Sequence, residues 1–420
     1  MRWFVLILLF IGMIINFADK SIVGLAATYI MKDLNLSYAD WGIVGSSYYW
    51  LYPITGVIGA AWADRIGAKK MLGFLMLTWA VLQIGVVAIT ALPLLILYRI
   101  LLGAFEGPFS PIAYSHALKW FPSKSSGFVT SVVGSGGTVG AFITAPLLIG
   151  AITAWGWKAA FILLGVASIV WFILIQFVKE KPAVENGEMK KKEKVEKLKL
   201  KDVKQILSSR VTLFTTLAFC STYFIVVWLS IWLPLYLVEV IGMSSGQMGF
   251  GIMFIGLSSI VIYMLVSIIS DRLFVKTKSW KISRIYVSGA SMIIGALCML
   301  SIIVFQNPIW AIIAMSLAKG LTYSILVIGP AIMTNEMPER GGLMVSILTS
   351  SGNVAGVIAP MVTGFIISLA STKIFGYNLS LIVMAIFVII SAGLFAMLVR
   401  PSFNNKENIS NEEDLVEQIN

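Results

Sequence analysis

An arginine and a glutamate stand seven residues apart in an apolar run, Tyr98-Arg99-Ile-Leu-Leu-Gly103-Ala-Phe-Glu106-Gly107-Pro108. On a helix that spacing is two turns, so both side chains leave one face, about 10 Å apart along the axis. This is too far for a direct ion pair. Gly103 lies between them on that face and Ser110 extends the stripe. The pattern reads as one wall of a wet cavity holding a fixed cation and, apart from it, a titratable acid. Three more ionisable groups interrupt apolar runs: Asp19, Lys20 and Lys319. Each costs about 3 kcal/mol or more at a bilayer centre, so each needs a reason. The five sum to +1 with both acids ionised and +3 with both protonated, which suits an anion. Asp19 and Lys20 diverge by about 100° on a helix and must find partners elsewhere. Tyr48, Tyr49 and Tyr52 on one run and Asn353 on another offer further lining. An asparagine amide both donates and accepts, so it fits hydroxyls or a carboxylate.

The elements that must position these groups are membrane helices. Of 420 residues, 58% are hydrophobic and 12% charged, with mean hydropathy +0.91. Soluble domains carry about 25% charged residues. About twelve apolar runs reach the roughly 20 residues needed to span. They fall near 3–30, 39–61, 71–90, 94–116, 124–151, 159–178, 211–241, 245–270, 284–305, 308–332, 341–370 and 378–399. The first run contains Asp19-Lys20 and lacks a small-residue cleavage site, so no cleavable signal is expected. With only Cys220 and Cys298, neither a disulfide framework nor a thiolate metal site is expected. No phosphate-cradling loop or nucleophile elbow appears, so an enzyme is not expected, and no cofactor or metal.

The net charge of +11 reads as topology, not nucleic-acid binding. Lysine and arginine crowd into alternate loops, such as Arg65 to Lys70 and the run Lys190-Lys191-Lys192. That asymmetry puts both termini in the cytoplasm. The expected division is 1–178 as a first six-helix half, 179–210 as a Lys-rich linker, 211–400 as a second half and 401–420 as an acidic tail. The halves repeat. Asp64-Arg65 ends the second span and Asp271-Arg272 ends the eighth; Ala145-Pro146 recurs as Ala359-Pro360. A six-plus-six repeat is a transporter architecture with its site near the midplane.

At these residues the chain resembles the major facilitator superfamily, and within it the anion:cation symporter family. Gly59 to Lys70 resembles the superfamily's signature loop. Arg99-x3-Gly103-x2-Glu106-Gly107-Pro108, the Asp19-Lys20 pair and Trp232-Leu-Pro-Leu-Tyr-Leu resemble the narrower family. The resemblance implies an all-α fold of twelve transmembrane helices in two six-helix halves. It also implies proton-coupled symport of sugar acids or related carboxylates across a bacterial inner membrane. Asp19 and Glu106 would be the proton sites. Lys20, Arg99, Tyr52 and Asn353 would hold the anion; apart from the resemblance, the residues themselves add Tyr48 to the lining and Lys319 as a further cation. Asp64 and Arg65 would latch a cytoplasmic gate, with Asp271 and Arg272 as their repeat counterparts. The chain departs from the family's sugar-acid members in having Lys20 for arginine, Phe17 for tyrosine and Gly137 for glutamine.

The expected cycle is competition. Glu106, held ionised by Lys20 or Arg99, loses its cation to an incoming carboxylate and takes a proton. Protons are the coupling ion, the bilayer the medium, and a monomer the expected state. An exchanger or exporter of the same fold is the alternative, and a transporter-like sensor signalling through the linker a third.

Overall fold

A computed structural model describes residues 1–122, 125–178 and 206–400. Most of the linker 179–210, the tail 401–420 and Lys124 lie outside the described residues. Among the described residues every assigned element is helical. Eleven helical stretches are long and apolar enough to cross a membrane.

The run expected as one span over 39–61 is two helices, and with it the spans among the described residues number twelve. After helix α1 (Arg2–Leu25) and the short helix α2 (Ala27–Asp33), helix α3 (Tyr38–Ser47) and helix α4 (Tyr52–Ile66) are separated by turn residues 48–51. Pro53 explains the break: it has no N–H for the carbonyl of Tyr49, and its ring crowds that carbonyl. At its other end α3 starts on a capping box, with Ser37 and Asp40 satisfying each other's backbone amides.

Span 4 is broken as well. Helix α6 (Leu92–Glu106) ends at the glutamate, and helix α7 (Phe109–Leu118) begins past Gly107-Pro108. The polar stripe therefore does not run on to Ser110 along one regular helix; Ser110 instead donates to Met13 Sδ at 3.7 Å. The fifth run repeats the device. Helix α8 (Ser126–Thr138) loosens into a π-turn over Val139–Ile143 before Pro146 opens helix α9 (Ala145–Trp155).

Contacts gather the chain into two compact units. Of the described residues, the first holds 1–178 with Val227–Leu257 and Gly356–Tyr377. At its centre helix α1 (Arg2–Leu25) packs on α8, the π-turn and helix α10 (Trp157–Gln176), and α10 packs on helix α5 (Ala68–Gly85). The buried face of α1 includes Asn16 and Asp19, both fully enclosed. Large apolar side chains such as Ile7, Val57 and Leu147 point outward, as lipid contact requires.

Of the described residues, the second unit holds 206–226, Ser258–Ala355 and 378–400. Its helices Val287–Val304 and Pro308–Thr322 pack side by side. Hydroxyl pairs Ser221–Ser391 (2.6 Å) and Ser291–Ser324 (2.8 Å) join helices distant in sequence. In lipid, where apolar surface gives little drive to association, such bonds and close packing hold helices together.

Candidate functional site

The breaks in spans 2 and 4 face each other and build a buried polar cluster in the first unit. Glu106, on the last turn of α6, is fully enclosed. Tyr48, in the turn after α3, donates its phenol to Glu106 Oε2 at 2.6 Å. Lys20 Nζ stands 4.0 Å from the same oxygen, its side chain 21% exposed where the carboxylate is 0%. Glu106 Oε1 has no hydrogen-bond partner among the described residues.

Lys20 is held by more than that acid. Its ammonium donates to Asn16 Oδ1 at 2.9 Å and Tyr52 Oη at 3.3 Å. It also lies 4.3 Å from the Phe17 ring centre and 5.1 Å from that of Tyr52, both within cation–π reach. Tyr48, Tyr49 and Tyr52 cluster with centroids 5.0 to 6.3 Å apart. The lysine thus sits in an aromatic collar, one side toward the buried glutamate and the other toward accessible space.

Arg99 lies deeper, 1% exposed. Its Nε donates to the Val44 carbonyl at 3.4 Å, and its guanidinium carbon is 4.6 Å from the Tyr48 ring centre. Tyr48 therefore fills the gap that separates Arg99 from Glu106 along α6, touching both. Asp19 is fully buried, and neither of its oxygens has a hydrogen-bond partner among the described residues. It lies within electrostatic reach of Glu106, Lys20 and Arg99.

Gly103 makes this arrangement possible. A methyl group there would run into the backbone carbonyl of Tyr48. Gly107 likewise meets the carbonyl of Tyr52. We expect Gly103→Ala to push Tyr48 off Glu106 and destabilise the fold by about 1–3 kcal/mol, the usual cost of overpacking. The measurement is the melting temperature in detergent, which should fall. An unchanged value would show that α6 can slide to make room.

A family model described as Major Facilitator Superfamily matches residues 9–341 and 281–418. The chain belongs to the Major Facilitator Superfamily. Among similar members is the hexuronate transporter of Bacillus subtilis (strain 168), 29% identical over 88% of each chain. Another is the probable galactarate/D-glucarate transporter GudP of Escherichia coli (strain K12), 26% identical over 95% of this chain and 93% of that one. The probable sulfoacetate transporter SauU of Cupriavidus necator is 27% identical over 84% of each. Of solved structures, a bacterial homologue of the human lysosomal transporter Spinster superposes with TM-score 0.81 at 18% identity, covering 94% and 96% of the two chains. The D-xylose-proton symporter gives TM-score 0.73 at 13% identity, covering 96% and 99%.

This facilitator, then, is a multi-pass membrane transporter, and not all residues singled out in its sequence meet. Asp19, Lys20, Tyr48, Tyr52, Arg99 and Glu106 converge in the first unit. Lys319 and Asn353 belong to the second, where Lys319 is 7% exposed and Asn353 half-buried. Asp64 and Arg65, on the last turn of α4, are exposed, and neither forms an ion pair among the described residues. In the second unit Asp271 pairs with Arg284 and not with its neighbour Arg272. Arg284 also donates to Ser270 Oγ at 2.8 Å.

Four residues that contact these groups or each other nearby escaped the sequence reading: Asn16 bonds Lys20, Tyr98 bonds Gln83 behind the cluster, and Arg284 pairs with Asp271. Asn16 lies one helical turn before Lys20, a spacing that places them on one face. Gln83 was a lone amide in an apolar run, and Tyr98 adjoined a more conspicuous arginine. Arg284 lies thirteen residues past Asp271, beyond any local spacing rule.

Proposed function

We propose that the protein is a proton-coupled symporter of a small organic anion, working by alternating access in a bacterial cell membrane with both termini cytoplasmic. One observation carries the reading: a partly accessible ammonium, Lys20, is shared between open space and an enclosed carboxylate, Glu106, at 4.0 Å. An anion that takes Lys20 leaves Glu106 with a phenol as its only bonded partner in a dry interior. A carboxylate so placed is stable only when protonated. Cargo and proton thereby occupy the site together. The relatives support the anion, since hexuronate, glucarate and sulfoacetate all carry carboxylates. The aromatic collar supplies apolar faces for the carbon skeleton behind the charge. Asp19 is the second proton site in this reading, Arg99 sets the positive field, and Asn353 and Lys319 serve cargo from the second half of the sequence. Asp64, Arg65, Asp271 and Arg272 belong to the cytoplasmic gate, and the protein acts as a monomer with protons as its coupling ion.

Alternation needs a closure that can break, and the first unit holds a candidate at the proposed outer side. Glu239 Oε2 accepts from Tyr38 Oη at 2.6 Å and from Tyr377 Oη at 3.4 Å. Lys373 Nζ lies 5.6 Å from the Tyr38 ring centre, and the Ala39 amide donates to Ser368 Oγ at 2.9 Å. Residues from both halves of the sequence thus close on one carboxylate. Hydrogen bonds to a charged acceptor contribute about 1.5–3 kcal/mol. Glu239→Gln should therefore shift the balance toward outward opening by about tenfold. The measurement is labelling of Ala39→Cys by an impermeant maleimide, in a background with Cys220 and Cys298 replaced. Unchanged labelling would remove Glu239 from the closure.

The function is tested with purified protein in liposomes. Labelled glucuronate, glucarate and sulfoacetate are offered with an imposed inward proton gradient. Gradient-driven accumulation that a protonophore abolishes is expected for at least one of them. Exchange against internal anion with no response to the gradient would make the protein an antiporter.

A further inference from the structure

Behind the accessible lysine lies a polar chain that the proposed cycle does not yet use. Gln83, on α5, is fully buried. Its Oε1 accepts the phenol of Tyr98, on α6, at 2.9 Å. That bond fixes the amide, because the oxygen is committed and the NH2 group is left as donor. The Gln83 Nε2 has no aligned hydrogen-bond partner among the described residues, and neither oxygen of Asp19 has one. The amide and that carboxyl are close enough to interact. Two complementary, unsatisfied, fully enclosed groups thus stand against each other across α1 and α5.

We propose that Gln83 is a positioning residue for proton release from Asp19, presenting a fixed amide donor to the carboxylate that forms when the proton leaves. This rests on Asp19 being a proton site of the cycle. The charged groups around Asp19 are Lys20 on its own helix and Arg99 and Glu106 on α6. Lys20 is engaged with Asn16, Tyr52 and Glu106, and Arg99 with Val44 and the Tyr48 ring. The stretch 126–155, which also packs on α1, carries no ionisable side chain. Both cations thus act on Asp19 through space: among the described residues neither hydrogen-bonds its oxygens, although Arg99 Nη1 has no partner of its own. A carboxylate without a bonded donor is costly in such an interior. Asn16 Nδ2, on the same helix as Asp19, also lacks a partner among the described residues, but the Gln83 amide is the donor whose orientation is fixed by a second bond, from Tyr98.

The test is Gln83→Leu in liposomes, beside Asp19→Asn and Tyr98→Phe. Gln83→Leu should lower proton-driven uptake about tenfold, the equivalent of one hydrogen bond to a charged group. Its dependence on internal pH should move to the alkaline side, while cargo exchange at equilibrium and the KM for cargo stay near wild type. Gln83→Asn should not rescue it, being too short, whereas Gln83→Glu should restore some pH response with a different profile. Tyr98→Phe leaves the amide in place but unfixed, and should change the pH profile in the same direction by less. This variant carries the test if Gln83→Leu does not fold. If Asp19→Asn abolishes coupling while both Gln83→Leu and Tyr98→Phe keep the wild-type profile within twofold, the role of Gln83 is overturned. If Asp19→Asn is itself fully coupled, the reading of Asp19 as a proton site fails instead.

Discussion

Glu106→Gln is expected to abolish proton-driven accumulation while leaving the protein folded and able to exchange cargo. The amide is nearly isosteric, and its oxygen still accepts the Tyr48 phenol that reaches Glu106 at 2.6 Å. Packing around the end of α6 should survive. What disappears is the charge that competes with cargo for Lys20, 4.0 Å away. Two consequences follow in opposite directions. Without a group to load, a proton gradient cannot drive uptake, so the gradient-dependent rate should fall to the rate without a gradient, a loss of roughly 10–100-fold. Without the competing carboxylate, Lys20 keeps only neutral partners, Asn16 and Tyr52, so cargo affinity should hold or rise severalfold. Uptake under an imposed gradient and counterflow at equal pH separate the two. If the variant still concentrates cargo in response to the gradient, Glu106 is not the coupling acid. If both assays fail while the protein melts normally, Glu106 holds the cargo site in shape and the competition scheme is wrong.

Lys20→Gln has the second large expected effect, and it falls on affinity. A charge-assisted bond to a bound anion contributes about 1.5–3 kcal/mol, so cargo affinity should weaken roughly 10–100-fold. Glutamine can still reach toward Asn16 and Tyr52 but brings no charge to the collar. Lys20→Arg should restore most of the binding. The guanidinium keeps the cation and offers a bidentate fork that favours a planar carboxylate over a sulfonate. The ratio of carboxylate to sulfonate affinity is therefore the more discriminating readout, taken as thermal-shift titrations with propionate and ethanesulfonate, which differ only in the acid group. Equal affinity in wild type and Lys20→Gln would mean that the anion is held elsewhere, with Arg99 and Lys319 the remaining intramembrane cations. Removing Lys20 also leaves Glu106 without its nearest cation. Uptake in this variant should lose its dependence on the gradient even at saturating cargo.

The membrane class, the number of spans and the membership in a two-half transporter superfamily were all legible from residue order. These depend on local quantities. A run of about 20 apolar residues is long enough to span wherever it occurs. A lysine or glutamate inside such a run is costly wherever its partner turns out to be. So Asp19, Lys20, Arg99 and Glu106 announced themselves one by one, and the seven-residue spacing placed two of them on a shared face. Packing settled what each of them touches. Tyr48 looked like one more lining aromatic, but the turn between α3 and α4 carries it inward to bond Glu106 and cover Arg99. Two prolines, Pro53 and Pro108, interrupt the helices on either side of that contact, and Gly103 lets the backbones close. The breaks were visible as residue types, yet where the freed backbone would go depended on the helix opposite. Gln83 and Tyr98 mattered still less on paper. An amide in an apolar run gains meaning only when α5, α6 and α1 bring it against a phenol and a carboxyl. Periodicity is a property of one helix, whereas complementarity belongs to three helices at once and exists only after they pack.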